Sequence, residues 1–375
     1  MATRPVRVAL DLLGGDRAPD VVVEGALAAL AEDPQLHLVV AGPSGLRPRW
    51  ASVADRVTLL PTDEGVGMAD APVRAVRNRR TSVRLAVEAV RNGAADAVVS
   101  IGPTGAAVAA AVTELGKLPG YRRPVLAAVL PAVAHPVVLL DVGAHAGASD
   151  ADLVRHGRLG SAFARTALGL DWPRVGLLSV GTEPGKGDSL RKKADRGLTG
   201  SGLHYVGLVE GYDIPLGGRA DVVVTDGFTG NVVLKTLEGS LALAATNDAA
   251  TNGAGPNGVC SNSSCPHGAA RNFASSASGV LGGGSRRAAT LLGVAGTVVI
   301  GHGAAGSADV ADCVALAAAA VRDNYLLHLR AVLDHSAQAS EIAPPPEADP
   351  DEQHRSAARQ QNRPQARMTA APAAT

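Results

Sequence analysis

The sequence predicts an α/β protein built on a mostly parallel sheet, and two observations carry that prediction. Short runs rich in Val, Ile and Leu alternate with longer segments of helical spacing, as repeated strand–helix units require. Glycine-rich turns also stand where several of these runs end, the place where open α/β sheets bind ligands. The expected strands are residues 6–12, 36–41, 57–60, 97–101, 125–130, 137–141, 175–180, 222–225 and 297–300. Helical spacing covers 19–31, where Pro19 suits a first turn because its fixed φ is already helical. It returns at 72–79, 82–91, 104–115, 150–168 and 230–245. The last expected helix, 308–333, places Val310, Val314, Val321, Tyr325 and Leu329 on one face.

Two segments break the alternation. Residues 246–287 are dominated by Asn, Ser, Gly and Ala, a composition that buries too little apolar surface to offset ordering entropy. They are expected to be a flexible insertion. Residues 334–375, rich in Pro, Ala, Gln and charge, are expected to be a disordered tail. The organisation is therefore one α/β domain over 1–333, interrupted at 246–287. Of 375 residues, 46% are hydrophobic but only 2% aromatic, so the core must be built from Ala, Val and Leu. Lys plus Arg (35) equals Asp plus Glu (35), which leaves no basic field for nucleic acid and few rings to stack on bases. The start of the chain lacks a signal-peptide pattern, no apolar run reaches bilayer length, and three cysteines make no disulfide framework. A cytoplasmic protein is expected.

Two glycine-rich turns are the most informative motifs. The first, Ser179–Asp188, contains Glu183, Gly185, Lys186 and Gly187; the second contains Asp226, Gly227, Thr229, Gly230 and Asn231. Glycines let backbone N–H groups approach an anion, a following helix adds its positive end, and Lys186 supplies a charge. The lysine turn has three residues between glycines where a nucleotide-triphosphate loop has four, and Gly187 follows the lysine where that loop has Ser or Thr. At the first strand end, Asp11, Gly14, Gly15 and Asp16 read either as a turn around a ligand or as a tight turn with Asp16 capping a helix. Thr104 and Gly105 open an Ala-rich helix and suit a phosphate or carbonyl oxygen, or else Thr104 is merely a cap. Asp141 and His145 follow another strand. Asp141 can orient Lys186 or His145, or satisfy turn N–H groups. His302, in Gly301–Ser307, can close the same cleft or be structural. Cys260, Cys265 and His267 lack the spacing of a zinc site, and no metal is expected. The absence of a serine elbow, a zinc-protease helix and a full dinucleotide fingerprint disfavours a serine hydrolase, a metalloprotease and a dehydrogenase.

The ordered set of these turns resembles the PlsX family of phosphate acyltransferases. The matching stretches are 11–19, 70–77, 100–106, 140–144, 174–187, 220–239 and 291–303, spread over about residues 6–330. The resemblance implies a Rossmann-like three-layer α/β/α fold of the isocitrate and isopropylmalate dehydrogenase type. It implies conversion of acyl-[acyl-carrier-protein] and inorganic phosphate to acyl phosphate, feeding phosphatidic acid synthesis, with no metal and no organic cofactor. It also implies a homodimer and peripheral membrane contact, carried in the family by a helical hairpin that here aligns with the low-complexity stretch after Ala245. Arg17, Pro103 and His145 stand where the family usually has His, Asn and Asn.

On this reading Lys186, the backbone of Gly185–Gly187 and the turn at 229–231 hold phosphate, while Asn231 or Thr104 donates to the thioester oxygen. Asp141 orients Lys186 or His145, and His145 can donate to the developing oxyanion. Arg74, Arg77, Arg79 and Arg80, the densest basic cluster, face the acidic carrier. Rival readings are a phosphotransacylase using acyl-coenzyme A and a non-catalytic carrier-binding paralogue.

Overall fold

The computed structural model describes residues 4–252 and 288–342. Eleven strands form one sheet in the order β3-β2-β1-β4-β11-β10-β5-β6-β9-β7-β8. Their ranges are β1 Val6–Asp11, β2 Leu36–Gly42, β3 Val57–Pro61, β4 Ala97–Ser100, β5 Val125–Leu130, β6 Val137–Leu140, β7 Val175–Leu178, β8 Tyr205–Val209, β9 Val222–Val224, β10 Ala288–Leu292 and β11 Thr297–Gly301. The helices are α1 Asp20–Glu32, α2 Val73–Arg77, α3 Ser82–Arg91, α4 Thr104–Leu115, α5 Asp150–Leu168, α6 Ser189–Thr199, α7 Asp213–Leu216, α8 Gly227–Asn252, α9 Ser307–Arg322 and α10 Tyr325–Ile342. A kinked 3-10 segment spans Ser44–Arg56.

Sheet pairing is parallel except where β10 meets β11 and β5, and where β5 meets β6. Strands β3, β2, β1, β4 and β11 form one parallel block, and β6, β9, β7 and β8 a second. Because three antiparallel junctions separate them, the blocks run in opposite directions. Their carboxyl ends therefore face opposite edges of the sheet, rather than the single edge that the sequence reading assumes. On one face α3, α4 and α8 pack against the sheet through a cluster that includes Leu126 of β5, Leu139 of β6, Val223 of β9 and Ile300 of β11. On the other face α1 and α9 cover the first block, and α5, α6 and α10 cover the second. The result is the expected three-layer α/β/α architecture.

Local chemistry sets the element ends. Ser149 and Asp152 form a reciprocal capping box that starts α5, and Gly169 ends it in the left-handed region. The predicted helix 308–333 is two helices. Asn324 has φ 49° and stops α9, which sends Tyr325 and Leu329 into the core of the second block while Val310 and Val314 stay with the first. Two strands escape the sequence reading. β8 is an edge strand interrupted by Gly207, φ 87°, and β10 follows directly on the low-complexity stretch. Helix α8 runs to Asn252 and α10 to Ile342, so 246–252 and 334–342 are helical, not parts of a flexible insertion and a disordered tail. The expectations for 253–287 and 343–375 fall outside the described residues. Among the described residues no helix is long and apolar enough to cross a membrane.

Candidate active site

A cavity of about 200 Å³ opens on the sheet face covered by α4 and α8. Leu126 and Ala128 of β5, Ala289 of β10 and Ile300 of β11 floor it. Gly102, Thr104 and His302 enter from the carboxyl ends of the first block, and Val142 and Asn231 from those of the second. The opposed blocks thus meet across the width of β10 and β5, with α8 lying over the junction.

Thr104 is the first residue of α4, and Pro103 occupies the cap position without a side-chain cap bond. Thr104 is therefore not the cap, and its hydroxyl stands with the first N–H groups of α4, which have no partner inside the helix. Gly105 is glycine because a Cβ there would lie 2.7 Å from Pro72 Cγ. Across the cavity, Asn231 Nδ2 donates to Val142 O at 3.1 Å, leaving the second amide hydrogen available. His302 Nδ1 accepts from Ala304 N at 3.0 Å, so the neutral ring carries its proton on Nε2, 3.9 Å from Glu238 Oε2. Glu238 also accepts from Lys235 Nζ at 2.9 Å. Asp16 lines the rim. It does not cap α1, whose cap position is Pro19 with no side-chain cap bond, and its N–H donates to Gly303 O at 2.8 Å.

Asp11 and the two glycines after its strand are structural. Asp11 is buried and accepts from Ser82 Oγ at 2.5 Å and Ser100 Oγ at 2.8 Å. Burial raises its pKa, and these hydroxyls with the Leu13 and Gly14 amides oppose the rise. A Cβ on Gly14 would lie 2.6 Å from Gly102 N, and Gly15 takes φ 99°. This turn shapes the cavity wall, and Asp11 lies behind it rather than in the lining.

Asp141 also takes its structural reading. Its Oδ1 accepts from the amides of Leu126 (3.1 Å), Gly143 (2.9 Å) and Ala144 (2.8 Å), and its Oδ2 from that of His145 (3.1 Å). With four backbone N–H groups on one buried carboxylate, Asp141 shapes the 142–145 turn and orients neither Lys186 nor the His145 ring. That turn packs so closely on the start of α8 that a Cβ on Gly227 would lie 2.1 Å from His145 O, and one on Gly230 1.9 Å from Asp141 O. These two glycines permit the close backbone approach that places Asn231.

The lysine turn adjoins this assembly without lining the cavity. Pro184 and Gly185, φ 84°, form the centre of a turn in which Lys186 N donates to Glu183 O at 3.1 Å. That amide is spent within the turn, and the Glu183, Gly185 and Lys186 positions are exposed. The neighbouring α6 is capped by Asp188, which accepts from Arg191 N at 2.8 Å. Thr229 Oγ1 donates to Asp226, so this hydroxyl is committed rather than free for phosphate. The sequence reading misses Arg191. Its guanidinium ion-pairs with Asp226 and reaches Thr225 Oγ1 and Thr229 Oγ1 at 3.3 Å each, while a Cβ on Gly187 would lie 2.8 Å from Arg191 Cβ. Arg191 thus binds the two glycine turns together. Burial would raise the Asp226 carboxyl, but Thr229 and Arg191 outweigh it and hold it below the usual carboxylate range. A buried histidine, His156 of α5, is also missed. Burial lowers its pKa against the nearby Asp141 and Asp152 carboxylates, and its Nδ1 has no partner among the described residues. Among those residues no metal-binding cluster of His, Cys, Asp and Glu occurs.

Fold and site together define an α/β protein with a largely apolar cavity, edged by a few polar side chains, at the junction of two opposed parallel blocks. The family model described as Fatty acid synthesis protein matches residues 6–248, and the chain belongs to this family, the PlsX-type phosphate acyltransferases. Proteins named phosphate acyltransferase from Bacillus cytotoxicus and Bacillus thuringiensis strain Al Hakam are each 44% identical over 237 residues, 63% of this chain and 72% of theirs. A phosphotransacetylase from Streptococcus pyogenes shares the fold at TM-score 0.56 and 17% identity, over 84% of this chain and 94% of that one. EutD phosphotransacetylase from Staphylococcus aureus does so at TM-score 0.50 and 16% identity, over the same shares. The protein is an acyltransferase. Strands β10 and β11 and His302 lie beyond the stretch matched by the family model.

Proposed function

We propose that the protein transfers an acyl group from acyl carrier protein to inorganic phosphate, releasing acyl phosphate for phosphatidic acid synthesis. The observation that carries this reading is the cavity in which Thr104, Asn231 and His302 converge from both blocks of the sheet. Phosphate at neutral pH is already an anionic nucleophile, and a thioester already has a good leaving group. Catalysis therefore needs positioning and donors for the oxyanion more than it needs a protein nucleophile. The N-terminus of α4 with the Thr104 hydroxyl receives phosphate, and the free amide hydrogen of Asn231 faces the thioester oxygen. A phosphate oxygen bonds to the acyl carbon, the C–S bond breaks, and the carrier leaves as thiolate. Lys186 acts from the rim as a point charge on a long stem.

The carrier docks beside this rim on Arg77, Arg79 and Arg80, all exposed. The segment bearing them adjoins the cavity where Pro72 packs on Gly105. No organic cofactor or metal enters this scheme. The homodimer and membrane contact implied by the family rest on the segment after Ala245, of which 253–287 lie outside the described residues. The test is acyl phosphate, trapped as hydroxamate, from acyl carrier protein thioester and phosphate. Transfer from the coenzyme A thioester alone would make the protein a phosphotransacylase, and carrier binding without turnover would overturn the catalytic reading.

A further inference from the structure

One side of α8 runs along the cavity that holds Thr104. Asn231, Leu234, Lys235 and Glu238 line it, the i, i+3, i+4, i+7 spacing that stacks side chains on one side of a helix. Among the described residues lining the cavity, Lys235 is the only lysine or arginine, whereas the acids are two, Asp16 and Glu238. Lys186, by contrast, is exposed on its turn and lies outside the lining. Lys235 Nζ donates to Glu238 Oε2 at 2.9 Å, which uses one of its three hydrogens. Glu238 Oε1 has no partner among the described residues. The two side chains are 42% and 20% exposed, and an i, i+3 pair so placed adds little to stability. Two lysine hydrogens and one carboxylate oxygen remain to meet an occupant.

An anion entering this cavity meets a cation but also an excess of carboxylate. A fully ionised oxyanion is repelled by a carboxylate, whereas one that keeps an O–H can donate to it. Phosphate keeps at least one O–H in both of its ionic forms at neutral pH, and sulfate keeps none. We propose that Lys235 and Glu238 bind the attacking phosphate and select it over sulfate: Lys235 Nζ donates to an ionised oxygen, and Glu238 Oε1 accepts the phosphate O–H. This rests on the acyl-transfer reading above and adds contacts from α8 to those of α4. Asn231 and Lys235 stand one helical turn apart, about 5–6 Å between Cβ atoms. The donor to the acyl oxygen and the donor to the nucleophile are therefore neighbours, as attack on the acyl carbon requires. The bonds made and broken are those already given. The O–H proton stays on the phosphate through the transfer, and one negative charge leaves on the thiolate.

The experiment measures kcat/KM for phosphate, KM for the acyl-carrier thioester and Ki for sulfate in the full chain and in Lys235→Ala, Lys235→Arg and Glu238→Gln. Lys235→Ala is expected to lower kcat/KM for phosphate at least about tenfold, and Lys235→Arg to restore part of it. The thioester KM should stay within about twofold in each, which also reports that the variants fold. Glu238→Gln, whose amide can donate to sulfate, is expected to narrow the ratio of sulfate Ki to phosphate KM at least about tenfold. Melting temperatures with inorganic phosphate or sulfate read the same preference without turnover. Phosphate should raise the melting temperature more than sulfate in the parent protein, and the difference should close in Glu238→Gln. An unchanged phosphate kcat/KM in Lys235→Ala, an unchanged sulfate-to-phosphate ratio in Glu238→Gln, or a thioester KM that rises as much as the phosphate KM would overturn the assignment. A parent protein that forms no acyl phosphate yet keeps the larger shift with phosphate would instead sink the transfer reading and leave the anion pair standing.

Discussion

At the residue scale, two side chains bear on chemistry differently from what their motifs suggest. Asn231 is held by Val142 and lines the cavity, so on the proposed mechanism Asn231→Ala removes a donor to the acyl oxygen. Loss of one such donor typically costs about 2.7–4 kcal/mol of barrier, and kcat should fall about a hundredfold or more in a hydroxamate assay of folded protein. Lys186 is exposed on the turn before α6 and does not line the cavity, so the contribution proposed for it is charge. Lys186→Ala should lower turnover by a similar order if that charge offsets phosphate repulsion in the transition state. Near-normal kcat in both variants would remove both residues from the mechanism. Asp141 behaves otherwise. Replacing it by alanine strips four backbone N–H groups of their acceptor, and each buried donor left unmet costs about 1–3 kcal/mol. Asp141→Ala should therefore lose at least about 3 kcal/mol in urea unfolding. Unaltered stability with abolished activity would restore Asp141 to the chemistry.

At the scale of elements, the link that matters joins α6 to the start of α8. Arg191 pairs with Asp226 across them, and the Asp226 pKa lies below its usual value despite burial. A depressed carboxyl pKa contributes stability that is present above the unfolded value, about 3.9, and lost as pH falls through the folded one. Arg191→Leu should thus raise the acid-unfolding midpoint, with the stability gap to the parent protein widest at neutral pH and closing in acid. An unmoved midpoint, followed by circular dichroism, would show that Arg191 does not couple the turns.

Much of this scale is legible in sequence, because β-branched runs and helical spacing are local signals. The nine expected strands all form, and α3, α4 and α5 begin and end where the pattern places them. Asn324 splits a helix whose apolar spacing continues unbroken, since periodicity cannot report a backbone turn that sends Tyr325 to a different core. Asp141 and Asp226 stand beside glycines like ligand-binding acids, yet their partners come from residues up to 35 positions away, as Arg191 does. The convergence of Thr104, Asn231 and His302 depends on strand direction, which no local window reveals.

At the scale of the whole molecule, the central strands of the sheet come from the end of the described chain. β10 and β11, residues 288–301, insert between β4 and β5. A fragment ending at residue 252 should therefore lack the part of the cavity floor formed by Ala289 and Ile300 and expose β4 and β5 as unpaired edges, the kind of surface that templates aggregation. Light scattering and hydroxamate assay would check this: the fragment should associate and form no acyl phosphate, whereas a monodisperse, active one would contradict the strand order.

The close approach at Gly230 extends further than the helix it begins. With 1.9 Å between Asp141 O and any methyl added there, a larger residue would force the 141–145 turn and the start of α8 apart. Screens of random variants should find it as intolerant as any position in the reacting cavity, for a reason of backbone packing alone.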